Sequence, residues 1–165
     1  MNLSRILRHL WVGRPEARRI FPAASLDRIT KAIAATEADH HGEVRFAVEA
    51  SLHTGPLFHG VTARERAVQV FADLRIWDTE ANNGVLIYLL LADRDVEIIA
   101  DRGVHAKVGA DGWERICQAM ELEFRAGRFE SGVIAGIEAV GAHLRTHFPR
   151  RGEDVNELPD APVLL

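Results

Sequence analysis

The sequence predicts an α/β protein, a three-layer α/β/α sandwich built on a small mixed sheet with a central antiparallel hairpin and one parallel strand. Three observations carry this. Val85 to Ala92 is apolar at every position, too short to span a membrane and suited to a central strand covered on both faces. Asp93-Arg94-Asp95 then supplies a polar turn, and Val96 to Ala100 runs back as the partner strand. Upstream, Val44, Phe46 and Val48 alternate with Arg45, Ala47 and Glu49, a strand by its period of two. A right-handed crossover through the intervening helix lays that strand parallel to the one at Val85.

The elements follow in order. Leu3, Ile6, Leu7 and Leu10 fall at helical spacing, and residues 1–19 hold five arginines against one glutamate, a local +4. The favoured reading is a basic amphipathic helix and linker over 1–22, docked on the domain with its arginines solvated. Membrane contact through residues 1–19 is the less favoured alternative. Leu26, Ile29 and Ile33 mark the next helix, with a cap expected near Ser25. Residues 51–61, with Gly55, Pro56 and Gly60, read as a loop. Thr62-Ala63-Arg64-Glu65 is a capping box, opening a helix that buries Val68, Phe71 and Leu74 and reaches about Trp77. After the hairpin, Val104 to Gly109 reads as a short irregular or edge segment. Asp111 caps a helix carrying Trp113, Ile116, Met120 and Phe124, and Ser131 opens the last helix. The α/β/α domain thus spans 23–148, and 149–165 reads as a flexible tail.

Composition narrows the classes of function. A chain of 165 residues is long enough for one domain with a full core, and 47% hydrophobic with 27% charged residues is ordinary for a globular protein. The net charge of −4 argues against nucleic acid as a partner. The single cysteine, Cys117, makes no internal disulfide, and its place in a helical pattern favours an inert buried thiol. With no run near 20 apolar residues and no unbroken signal-peptide core, cytoplasmic is the default location.

No strong catalytic motif is present, so the chemistry must come from convergence. Antiparallel pairing brings the residues entering the first hairpin strand next to those leaving the second. Asp78, Glu80, Asn82, Asn83, Asp101 and His105 therefore gather at one sheet end. Carboxylate and amide oxygens on adjoining loops suit Ca²⁺ or Mg²⁺, and an imidazole tilts the preference towards a transition metal. Asp and Asn also serve there as plain turn formers. The opposite sheet end offers Glu49, Asp93, Arg94 and Asp95, where Glu49 could pair with Arg45. His40-His41-x-Glu43 and the pair His53 and His59 could bind metal, but the histidines read as chance surface residues, and Trp11, Trp77 and Trp113 as core or docking residues.

The same stretch resembles a known family. Asn83-Gly84-Val85-Leu86, then Asp93-Arg94, then a glycine-bearing segment after the second strand resembles the TPM domain. Phe124-Arg125-Ala126-Gly127-Arg128-Phe129-Glu130-Ser131-Gly132-Val133-Ile134-Ala135-Gly136-Ile137 is similar to its glycine-spaced final helices. The likeness covers about residues 25 to 147 and is more specific to fold than to activity. The family includes thylakoid-lumen proteins of photosystem repair credited with acid phosphatase activity, and many bacterial proteins. The resemblance implies an α/β/α domain with a divalent-metal site in an acidic groove. Two departures bear on that site. The family's usual Gly-Tyr-Gly-Leu-Glu is here Asp101-Arg102-Gly103-Val104-His105, and Glu97 stands where an arginine usually follows. Relatives are commonly exported or anchored, and this chain resembles a free-standing bacterial cytosolic version.

Two functions are then expected. The first is a TPM-like module that binds a divalent cation through Asp78, Asn82, Asn83, Asp101 and His105 and meets a protein partner without turnover. The second is a metal-assisted acid phosphatase with Asp101 as nucleophile or base and His105 as acid or ligand.

Overall fold

A strand apolar at every position needs a layer against each face, and the structure supplies both. The computed structural model describes residues 3–150 and 155–165. Its elements run α1 (Leu3–Trp11), α2 (Arg14–Ile20), α3 (Ala23–Glu37), β1 (Glu43–Glu49), α4 (Thr54–Phe58), α5 (Ala63–Asp73), β2 (Gly84–Leu90), β3 (Asp95–Ala100), α6 (Arg102–Val108), α7 (Ala110–Arg125), α8 (Phe129–His147) and β4 (Val163–Leu164). The sheet order is β3-β2-β1-β4. β1 is parallel to β2 and β4, and β2 is antiparallel to β3. The expected mixed sheet and its parallel crossover are both present.

Alternation along β2 divides the core. Val85, Ile87 and Leu89 face α3, α7 and α8, packing on Ile29, Ile33, Met120, Phe124, Ile137 and Val140. Leu86, Tyr88 and Leu90 face the other layer, where Ile6 of α1, Leu57 of α4, and Ala63, Ala67 and Val70 of α5 lie. Each large apolar side chain so buried contributes about 1.5–3 kcal/mol. β1 fixes the register, because a slip of one residue would turn Arg45 and Glu49 into the first core.

Several local details differ from expectation. The capping box forms, with Thr62 accepting the Glu65 N–H and Glu65 reaching back. α5 nevertheless buries Ala63, Ala67 and Val70, leaving Val68 exposed and Phe71 and Leu74 only partly covered. It stops at Asp73, and Trp77 beyond it is exposed. Pro22, not Ser25, stands at the start of α3. The loop at 51–61 contains the short helix α4, and Val104 to Val108 is helical because Asp101 caps α6 through the Arg102 N–H. α8 begins at Phe129, before Ser131.

The two ends of the chain change most. Residues 3–20 form two helices broken at Gly13, and Arg5 and Arg8 are not simply solvated: both bond to Asp93. The end of the expected tail is structured, since β4 pairs with β1 and Leu158, Val163 and Leu165 pack on the second core. The long-range pairing of a two-residue strand leaves no periodic trace in sequence. Residues 1–2 and 151–154, within the expected N-terminal segment and tail, lie outside the described residues. Among the described residues no helix is long and apolar enough to cross a membrane.

Candidate functional site

Pairing of β2 with β3 closes one end of the sheet as the hairpin geometry requires. The Asp101 N–H donates to the Gly84 carbonyl at 2.9 Å. A Cβ on Gly103 would stand 2.5 Å from the Asn82 carbonyl oxygen, and one on Gly84 would stand 2.0 Å from that of Ile76. Both approaches demand glycine. Asn82 adopts φ 51°, a left-handed conformation that asparagine tolerates. The Thr79 hydroxyl accepts the Asn83 N–H at 3.1 Å. Asn83 is buried, its Nδ2 donating to the His41 carbonyl while its own carbonyl accepts the Glu43 N–H at 3.3 Å. Asp101 is buried too, with Oδ1 accepting the Arg102 N–H at 2.6 Å.

Two oxygens at this end have no donor among the described residues: Asn83 Oδ1 and Asp101 Oδ2. A buried polar atom left bare carries a desolvation penalty, larger for a carboxylate. Hard cations complement carboxylate and amide oxygens, the two kinds of atom left without a donor here. Among the described residues no three His, Cys, Asp or Glu side chains gather to hold a metal ion. An ion at Asp101 would therefore draw on amide and main-chain oxygens as well.

The adjoining corner, at the start of β1, is acidic and was not legible as a site. The Glu43 carboxylate accepts the N–H groups of Glu157 and Leu158 at 3.1 and 3.2 Å. The Glu157 carboxylate in turn accepts the Glu80 N–H at 3.0 Å. Glu37, Glu43, Arg150, Asn156 and Asp160 line a hollow of about 230 Å³. Burial pushes the Glu37 carboxyl up to about 8, reinforced by Glu43 and Asp160 and opposed by the Val44 N–H it accepts. Buried Arg45 faces this group rather than Glu49, and burial lowers its pKa against the pull of Asp160, Glu37 and Glu43.

The remaining expected site residues are not drawn into this buried group. Asp78 and Asn82 are exposed at the loop surface. His105, exposed on α6, lines a separate hollow along β3 with Asp95, Glu97, Cys117 and Glu121. Burial there pushes Asp95 up to about 6 and the Cys117 thiol up to about 12, which disfavours the thiolate. His40 is buried and accepts the Gly42 N–H through Nδ1 at 3.1 Å. Trp113 is buried, whereas Trp11 and Trp77 are exposed. At the far end of the sheet, Glu49 Oε2 accepts from Tyr88 at 2.7 Å and Arg66 at 2.8 Å, not from Arg45.

The arrangement defines a class: a small α/β/α domain whose mixed sheet carries acidic and amide oxygens on the loops at one end. The family model of the TPM domain matches residues 17–143, and the chain belongs to that family. The NMR structure of BA42 protein from the psychrophilic bacterium Bizionia argentinensis is similar at 31% identity and a TM-score of 0.77, covering 87% of this chain and 94% of that one. The solution NMR structure of the N-terminal domain of a protein from P. gingivalis shares the fold at 18% identity and a TM-score of 0.64, covering 81% and 83% of the two chains. No curated protein matches the sequence.

Proposed function

We propose that this TPM domain binds a divalent cation, Ca²⁺ or Mg²⁺, at the hairpin base and acts through a protein partner rather than by turnover. One observation carries the reading: Asp101 Oδ2 is buried with no donor among the described residues, while Oδ1 is already used in capping α6. A cation there supplies the missing positive charge. The phosphatase reading has less support. A nucleophilic Asp101 would attack from a buried position, and His105 lines a different hollow from the one its acid role requires.

Calorimetric titration of metal-stripped protein with Ca²⁺ and Mg²⁺ tests the reading, beside Asp101→Asn, which keeps an oxygen for the cap. Saturable binding by the wild type that Asp101→Asn abolishes is the expected result. No heat at millimolar ion, or undiminished binding in the variant, removes Asp101 as the ligand. Phosphomonoester hydrolysis that requires both the ion and Asp101 would favour the enzyme instead.

A further inference from the structure

A surface helix ordinarily turns its apolar stripe inward; α1 turns most of its stripe out. Leu3, Leu7, Leu10 and Trp11 are 68, 50, 65 and 88% exposed, and Ile6 is the one apolar side chain of the helix that is buried. Polar bonds fix this orientation. Arg5 donates to Asp93 at 2.8 Å and to the Val61 carbonyl at 2.8 Å, and Arg8 donates to the Ala92 carbonyl at 3.2 Å. Buried His9 accepts the Leu52 N–H on Nδ1 at 3.0 Å and meets Asp93 through Nε2 at 3.2 Å. The helix is therefore clamped with its leucines outward.

We propose that α1 is a membrane-surface contact that lays Leu3, Leu7, Leu10 and Trp11 into the headgroup boundary of an anionic bilayer. Charge selects this occupant. Arg14 and Arg18 of α2, just beyond Trp11, are exposed and have no ion-pair or hydrogen-bond partner among the described residues. An apolar helix face followed by free cations complements anionic lipid, which offers an apolar layer beneath negative headgroups. A second copy fits less well. Self-complementary pairing would set the same arginines against each other, and four side chains of a short helix fall below the roughly 800 Å² per partner of a stable dimer.

The test is flotation of the full chain with vesicles of phosphatidylcholine alone or mixed with phosphatidylglycerol. The wild type is expected to float with the anionic vesicles and at least about tenfold less with the neutral ones. Leu10→Ser with Trp11→Ser should lose about tenfold or more. Arg14→Gln and Arg18→Gln should each cost about fivefold on anionic vesicles only. Leu122→Ser, at an equally exposed leucine on α7, should change nothing. All substituted side chains lie at the surface, so circular dichroism melts should match the wild type; Trp11→Ser alone serves if the double variant melts early. Failure to float with anionic vesicles overturns the proposal, as does equal flotation with both kinds. A dimer in sedimentation equilibrium that Leu10→Ser with Trp11→Ser dissolves would also overturn it, by making a second copy the occupant.

Discussion

The two ends of the sheet carry carboxylates in comparable number and treat them in opposite ways. At the hairpin-turn end, buried Glu49 meets Arg66 and Tyr88 and half-buried Asp93 meets Arg5, Arg8 and His9, whereas Asp95, facing the β3 hollow, is pushed up by burial. Burial resists ionisation of Asp93, but the bonds and charges of Arg5 and His9 outweigh it and hold its carboxyl below the usual value. At the hairpin-base end, Asp101 Oδ2 and Asn83 Oδ1 have no donor among the described residues, and Glu37 is pushed up to about 8 beside Glu43 and Asp160. The first end is a clamp already closed by the protein's own cations. The second has Arg45 beside Glu37, Glu43 and Asp160, yet leaves Asp101 Oδ2 and Asn83 Oδ1 without a donor among the described residues.

Substitutions can break or sharpen that contrast. The largest effect is expected from Gly84→Ala, whose Cβ would stand 2.0 Å from the Ile76 carbonyl. The main chain must move, so urea unfolding should show a loss of about 3 kcal/mol or more, together with loss of ion binding. Next is Glu49→Leu, which strands Arg66 and the Tyr88 hydroxyl. A loss of about 3 kcal/mol is expected, at the low end for a broken buried pair because Arg66 keeps some access to water. A cost under about 1 kcal/mol would show that the closed end is not held by this ion pair.

A smaller effect lies in pH dependence. Glu37, raised from 4.5 to about 8, takes up a proton on folding. Its contribution is fully present below the unfolded value and is lost as pH rises towards about 8. Asp95, raised to about 6, gives a slope of the same sign at lower pH. Chemical denaturation at a series of pH values should therefore show stability falling from about pH 6 to about pH 8 in the wild type and a flatter profile in Glu37→Gln. The smallest effect is expected from Asp101→Asn without metal, within about 1 kcal/mol, because asparagine caps a helix as well as aspartate does. A Ca²⁺-dependent rise in Tm should then disappear. A penalty equal to that of Glu49→Leu would erase the distinction between the ends.

Much of the frame was legible because it rests on local signals. The unbroken run from Val85, the alternation at Val44 and the capping box at Thr62 each declare their element. The meeting of Asn82 with Gly103 follows from the hairpin alone. Glu37, Glu43 and Asp160 were not legible together, since only the return of residues 155–165 to β1 assembles them. The position of His105 was not legible because its segment reads as irregular in sequence, whereas a capped helix carries it to the β3 hollow. Periodicity in α1 revealed a stripe but not its direction. Asp93, distant in sequence, decided that by drawing Arg5, Arg8 and His9 inward.

The pairing of β4 with β1 also has a consequence for synthesis. The Glu43 carboxylate is separated by 114 residues from the Glu157 N–H it accepts, and β1 gains its outer neighbour from the same late stretch. Contacts of such separation form late, after a large loop has closed. A nascent chain halted before residue 155 would present β1 as a bare row of main-chain donors and acceptors, open to pairing with another chain. Completing the acidic corner and covering the β1 edge at Ala47 and Val48 thus depend on the same late stretch.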